Sequence, residues 1–174
     1  MNDKAFSPAQ ADLEITLMDA SAECVSSSDL YLWLRECGLP SEVAIRLHNL
    51  VDTTAKVGDR IIGIGKIIVI KIVEFVKAHP SLALGIAVGA AIGALVSAVP
   101  FLGVYLAPIA MAISTTIGAI AGHRLDKIEK GQSVVTGVDL ISIGQDVIEI
   151  AKEFFQLLID VFNAVFDEQV LQRV

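Results

Sequence analysis

Apolar positions recur at helical spacing along most of the chain, and one stretch of 43 residues, from Pro80 to Gly122, carries no charge. This pattern predicts four segments. They are a small helical module over 1–40, a long amphipathic helix over 41–79, an uncharged helical hairpin over 80–122, and a basic segment leading into an amphipathic helix over 123–174. We therefore predict an all-α membrane protein whose N-terminal module and tail helix lie in the cytosol.

The first two segments carry recognisable helix signals. Ser7, Pro8 and Gln10 form the pattern of a capped helix start. Between residues 46 and 77, the charged side chains fall within an arc of about 160° when placed at helical spacing. The run "KIIVIKIVEFV" lacks the strict alternation of a strand, so we expect a helix there. Its charges are too many for a membrane span, which favours a position in the bilayer interface or in a bundle.

The uncharged segment is long enough for two membrane spans, since one span needs about 20 residues. Its Leu, Ile, Val and Phe side chains favour insertion by roughly 5 to 10 kcal/mol. Pro100 and Gly103 mark the turn of the hairpin. The hairpin either crosses the bilayer or is re-entrant, because its tip carries no charge to hold it in water. The predicted juxtamembrane basic residues are Lys66, Lys71, Lys77, Arg124 and Lys127. Basic residues on both sides place both termini in the cytosol and the hairpin in the bacterial inner membrane.

Small residues repeat every four positions along both halves of the hairpin. The first ridge is Ser81, Gly85, Gly89, Gly93 and Ser97, and the second is Ala110, Ser114, Gly118 and Gly122. Small residues let helix backbones approach closely, which is a main source of helix association in lipid. We predict that the ridges pack together, either within one hairpin or between subunits.

The tail has a strict seven-residue repeat of acidic side chains. The predicted stripe is Asp139, Asp146, Glu153, Asp160 and Asp167. Apolar side chains fill much of the rest, so we expect an amphipathic helix of about 30 residues that packs by supercoiling. Its partners are neighbouring copies of the chain or, in the alternative, the protein's own N-terminal helices.

Charge and motifs limit the function classes. The formal net charge is −7, with acidic groups concentrated toward both ends, which argues against a nucleic-acid partner. No metal-ligand spacing and no catalytic motif is present, so we predict a protein that is not an enzyme and needs no cofactor. Ser114, Thr115 and Thr116 form a polar cluster in the uncharged segment and are the candidate lining of a pore.

The uncharged hairpin resembles the hydrophobic hairpin of pore-forming colicins, and its ridges resemble those of glycine-zipper membrane proteins. The similarity covers about 42 residues, and it implies insertion into a lipid bilayer and assembly of several copies. We expect a homo-oligomer that forms a pore or perturbs the membrane. The alternatives are a non-conducting scaffold or anchor that recruits a cytosolic protein partner, and a regulatory subunit of a larger complex.

Overall fold

A computed structural model describes residues 6–82, 84–113 and 137–171, with side chains in the last range described for 145–166. The described chain is mostly helical. Its elements are α1 (Pro8–Glu23), α2 (Ser27–Glu36), α3 (Ser41–Leu50), β1 (Ala55–Val57), β2 (Arg60–Ile62), α4 (Ile64–Ala78), α5 (Leu84–Ala98), a 3₁₀ turn (Pro100–Leu102), α6 (103–113), α7 (Gly137–Phe154) and α8 (Gln156–Leu171). The predicted capping box is confirmed, because the Ser7 side chain accepts from Gln10 N–H and the Gln10 side chain accepts from Ser7 N–H.

The continuous helix predicted over 41–79 is wrong. A β-hairpin separates α3 from α4, and its antiparallel strands pair Ala55 with Ile62 and Val57 with Arg60. Gly58 supplies the positive φ, +60°, that a two-residue hairpin loop requires. The charged residues of this region do fall on one helical arc, but they belong to two different helices and a β-hairpin.

The prediction of an all-α membrane protein is also wrong. No helix within the described residues is long and apolar enough to cross a membrane. Helix α5 has 15 residues, whereas a span needs about 20. Pro80 and Pro100 lie just outside its two ends and limit its length. The same finding contradicts the transmembrane hairpin, the pore built on it and the predicted inner-membrane location.

Helix α5 instead forms part of the protein's own hydrophobic core. It packs most extensively against α7 and also against α4. A helix that is apolar on nearly all sides is buried either in lipid or inside protein, so the pattern alone fits both environments. Its fully buried small residues are alanines, namely Ala87, Ala91 and Ala94. These buried alanines, and not the glycines of the predicted ridge, are the small residues of α5 that face the core.

Polar contacts fasten α1 to the start of α4. The Arg60 guanidinium forms an ion pair with Asp12 and donates a hydrogen bond to Thr16 Oγ1 at 2.6 Å. One helical turn further on, Asp19 Oδ1 accepts from the backbone N–H of Gly63 at 2.9 Å, immediately before α4. These contacts hold α1 beside the start of α4. The apolar side chains of α1 supply its remaining packing.

The tail folds back over the protein. It is interrupted at Phe155, and α8 then packs against α1. Phe155 N–H donates to Ala151 O at 2.9 Å and Ile159 N–H donates to Phe155 O at 2.8 Å, so the interruption is local. Near the end of the tail, the Asn163 side chain donates to the Ala98 carbonyl at 3.0 Å. The sequence left two packing partners open for the tail, neighbouring copies and the protein's own N-terminal helices. In the structure, the tail packs against the N-terminal helix α1 of the same chain.

Candidate functional site

An open groove lies where α1, α4 and α8 meet. Its volume is about 290 Å³, at the lower limit of typical small-molecule pockets. The lining residues are Glu14, Leu17, Met18, Ser21, Ala22, Val25, Ile67, Ile70, Lys71, Glu74 and Leu157. Because it is open along one side, the groove suits a row of side chains from a protein partner better than an enclosed small molecule.

The groove has an apolar interior with two prominent leucines. Ala22 and Ile67 are buried and belong to the hydrophobic core. Leu17 and Leu157 also line the groove, yet about half of each side chain is exposed, 52% and 50% respectively. Exposed apolar side chains that adjoin a concave surface are typical of interaction sites. Leu17 comes from α1 and Leu157 from α8, so the folding back of the tail creates this surface.

The apolar surface continues beyond the groove on both helices. On α1, Leu13 lies one turn before Leu17 and is 59% exposed. On the tail, Phe154 and Ile150 precede Leu157 at helical spacing and are also exposed. Helix α1 therefore has two apolar sides. Ala11, Ile15 and Ala22 face the core, and Leu13 and Leu17 face outward.

The groove and the adjoining part of the tail carry more acidic than basic side chains. Lys71 Nζ and Glu74 Oε2 form an ion pair at 3.0 Å, which uses the one cation among the lining residues. Glu14 is half-buried, and no cation among the described residues lies within ion-pair distance of it. Glu153 and Asp160 are exposed and flank Leu157 by about one helical turn on either side.

The predicted glycine ridge lies on the least buried side of α5. Ser81, Gly85 and Ser97 are exposed, and Gly89 and Gly93 are half-buried. A Cβ added at Gly85 would meet no atom of the described residues within 4 Å, and one at Gly93 would meet Ile148 Cδ1 at 3.7 Å, an ordinary contact. Among the described residues of one chain, neither glycine is therefore required by close packing.

This arrangement predicts that alanine is tolerated on the ridge. Gly85→Ala and Gly93→Ala should each leave stability unchanged or raise it, by up to about 1 kcal/mol, because alanine is the better helix former. Urea denaturation monitored by circular dichroism measures the effect. Destabilisation by more than about 1 kcal/mol at either position would show that the ridge is tightly packed after all.

The rest of the second ridge lies mostly outside the described residues. Ala110 is half-buried on α6, whereas Ser114, Gly118 and Gly122 are not described. The candidate pore lining, Ser114, Thr115 and Thr116, is also outside the described residues. The predicted turn residues fall at a helix break, since Pro100 begins the 3₁₀ turn and Gly103 follows it.

The predicted basic residues serve contacts within the chain where they are described. Lys71 pairs with Glu74, and Lys77 Nζ lies 5.5 Å from the centroid of the Trp33 ring. Such a distance is within the range of a cation–π interaction. Lys66 is half-buried in the first turn of α4. Arg124 and Lys127 lie outside the described residues.

The acidic stripe of the tail faces solvent where its side chains are described. Asp146, Glu153 and Asp160 are exposed, and the Asp160 carboxylate accepts a hydrogen bond from Gln156 at 2.7 Å. Asp139 and Asp167 lie within α7 and α8, but their side chains are outside the described set. The stripe thus runs beside the apolar residues that border the groove.

Sequence reasoning missed the groove itself. Its main apolar contributors, Leu17, Ile67 and Leu157, are far apart in the chain and meet only after folding. One available signal was the pair Leu13 and Leu17, which lies off the side of α1 that carries Ile15 and Ala22. Among the described residues, no group of three or more His, Cys, Asp or Glu is arranged to hold a metal ion.

Comparison of the chain with models of known protein families, with curated proteins and with solved structures finds no match.

Proposed function

We propose that this protein is a non-catalytic interaction module that recruits a protein partner by binding one of the partner's helices in the groove between α1, α4 and α8. The observation that carries the proposal is the placement of two half-exposed leucines, Leu17 and Leu157, on the lining of one concave apolar surface. An amphipathic helix fills such a surface with apolar side chains at positions i, i+3, i+4 and i+7. Partner recruitment is one of the functions that the sequence left open.

Self-assembly is the other function that needs no membrane span, and it stays a prediction. The acidic charge around the groove disfavours the groove as the interface of a self-assembled dimer. A second copy seated symmetrically here would bring Glu14, Glu153 and Asp160 toward the same acidic groups of the first copy, and like charges in contact oppose association. A different protein carries no such restriction.

The test uses a synthetic helical peptide of about 16 residues, roughly four turns, with a leucine ridge flanked by glutamine and alanine. We expect this neutral peptide to bind the full-length protein, and Leu17→Asp to weaken binding by more than tenfold. Loss of one buried leucine contact costs about 1.5–3 kcal/mol, and the new carboxylate adds a desolvation cost. Fluorescence anisotropy of the labelled peptide gives both dissociation constants.

Leu32→Asp is the matched control. Leu32 lies on α2, is 54% exposed and does not line the groove, so its replacement makes the same chemical change at similar exposure. We expect the control to bind the peptide as the wild type does. Absence of binding to the wild type, or an equal loss in both variants, would overturn the proposed function.

A further inference from the structure

The charge around the groove identifies the kind of helix that it accepts. We propose that the occupant is a cationic amphipathic helix of another protein, whose Lys or Arg beside the apolar ridge pairs with Glu14. This inference rests on the proposed function and adds the partner's chemistry to it.

Glu14 is the specificity-determining residue in this proposal. It is half-buried at the groove, and no side chain among the described residues neutralises it. The other lining carboxylate, that of Glu74, is already paired with Lys71 at 3.0 Å. A carboxylate that loses part of its hydration when an apolar helix covers it gains most from a cation placed at the same depth.

Acidic side chains on the neighbouring tail also favour a cationic helix. Glu153 and Asp160 stand on either side of Leu157 along the tail and are exposed, and the half-buried Lys152, directly before Glu153, offsets only one of these two charges. Their summed field attracts a positively charged helix before contact and repels an acidic one. The only lysine among the lining residues is held by Glu74, so it leaves this preference in place.

Three peptides with one leucine ridge and different flanking residues test the inference. The flanks are lysine, glutamine or glutamate, and binding to the full-length protein is measured by fluorescence anisotropy at low ionic strength. We expect the lysine-flanked peptide to bind about three- to fivefold more tightly than the glutamine-flanked one, and the glutamate-flanked peptide to bind least. The ratio should fall as salt is added, because exposed charges are screened.

Two variants separate Glu14 from the general acidity of the protein. Glu14→Gln should bring the ratio of lysine-flanked to glutamine-flanked peptide affinity close to one, because it removes the charge that favours lysine. Glu36→Gln removes the same charge from an exposed position on α2 outside the groove, and it should leave the ratio unchanged. Thermal denaturation checks that both variants are folded.

The possible outcomes separate the cationic character of the bound helix from helix binding itself. If the lysine- and glutamine-flanked peptides bind equally, the cationic occupant is wrong while the interaction module stands. An equal effect of Glu36→Gln would overturn the role of Glu14. If no peptide binds, the proposed function itself fails. Sedimentation shows whether the protein dimerises. If it does, and if the glutamine-flanked peptide competes with dimerisation, the occupant of the groove is a second copy of the chain and not a helix of another protein.

Discussion

Gly65→Ala should destabilise the protein by at least about 3 kcal/mol, because α3 leaves no room for a Cβ at this position. A Cβ built on Gly65 would lie 1.7 Å from the carbonyl oxygen of Leu50 and 2.9 Å from Thr53 Cβ. The obstacle is backbone, so it cannot move aside as a flexible side chain can. Gly65 N–H also donates to Thr53 O at 3.0 Å, and a shift of α4 would break this bond. Overpacking of this severity exceeds the gain of about 1 kcal/mol in helix propensity.

Thermal denaturation measures the effect of Gly65→Ala, with an expected fall in Tm of roughly 6–12 °C. Gly93→Ala is the matched control, since it makes the same substitution inside a helix where the added Cβ meets only an ordinary contact. The control should show no fall. Equal Tm values for wild type and Gly65→Ala would mean that α3 and α4 do not approach as described.

Phe75→Ala should cost about 3–5 kcal/mol, the range for removing a buried aromatic side chain. Phe75 is fully buried on α4 and lies at the centre of a ring cluster. Its ring centroid is 5.4 Å from that of Phe154, 5.5 Å from that of Phe155 and 4.4 Å from that of His79. The cluster joins α4 to the point where the tail is interrupted, so its loss removes aromatic contacts as well as buried area.

Urea denaturation gives the free energy of unfolding for Phe75→Ala and for the control Phe75→Leu. Leucine keeps most of the apolar volume, so we expect the control to lose less than half as much stability as the alanine variant. A cost below about 1 kcal/mol for Phe75→Ala would contradict the burial of this ring and the docking of the tail on α4.

Local signals in the sequence predicted local structure well. The capping box at Ser7 and Gln10 is present, and the β-branched run after Gly63 is helical, as its lack of alternation indicated. The β-hairpin was missed because its strands have only three residues each, too few for a period to be recognised. Gly58 was visible in the sequence, but a single glycine does not distinguish a bend in a helix from a turn between strands.

The environment of the uncharged segment could not be predicted from hydropathy. A helix that is apolar on all sides is buried either in lipid or beneath other helices of the same chain. Whether α5 is buried in lipid or in protein depends on whether the amphipathic tail turns its apolar side toward α5. The tail residues that form this apolar side are more than 50 positions from α5 in the chain. Ile148, which faces Gly93, is one example. The groove depends on the same long-range packing, since Leu157 reaches α1 only when the tail folds back.

The central claim is that the tail folds back on the protein, with α7 packed against the uncharged helix α5 and α8 packed against α1. Disulfide trapping tests it most directly, in a Cys24→Ser, Cys37→Ser background that removes the free thiols. Gly93→Cys with Ile148→Cys should form an intramolecular disulfide on mild oxidation, because an added Cβ at Gly93 lies 3.9 Å from Ile148 Cγ1, an atom whose place a cysteine sulfur at position 148 can take. Gly85→Cys with Ile148→Cys should not, since Gly85 lies about 12 Å from Gly93 along α5, and an added Cβ there has no atom of the described residues within 4 Å. Absence of the first cross-link, or equal yields from both pairs, would contradict the account.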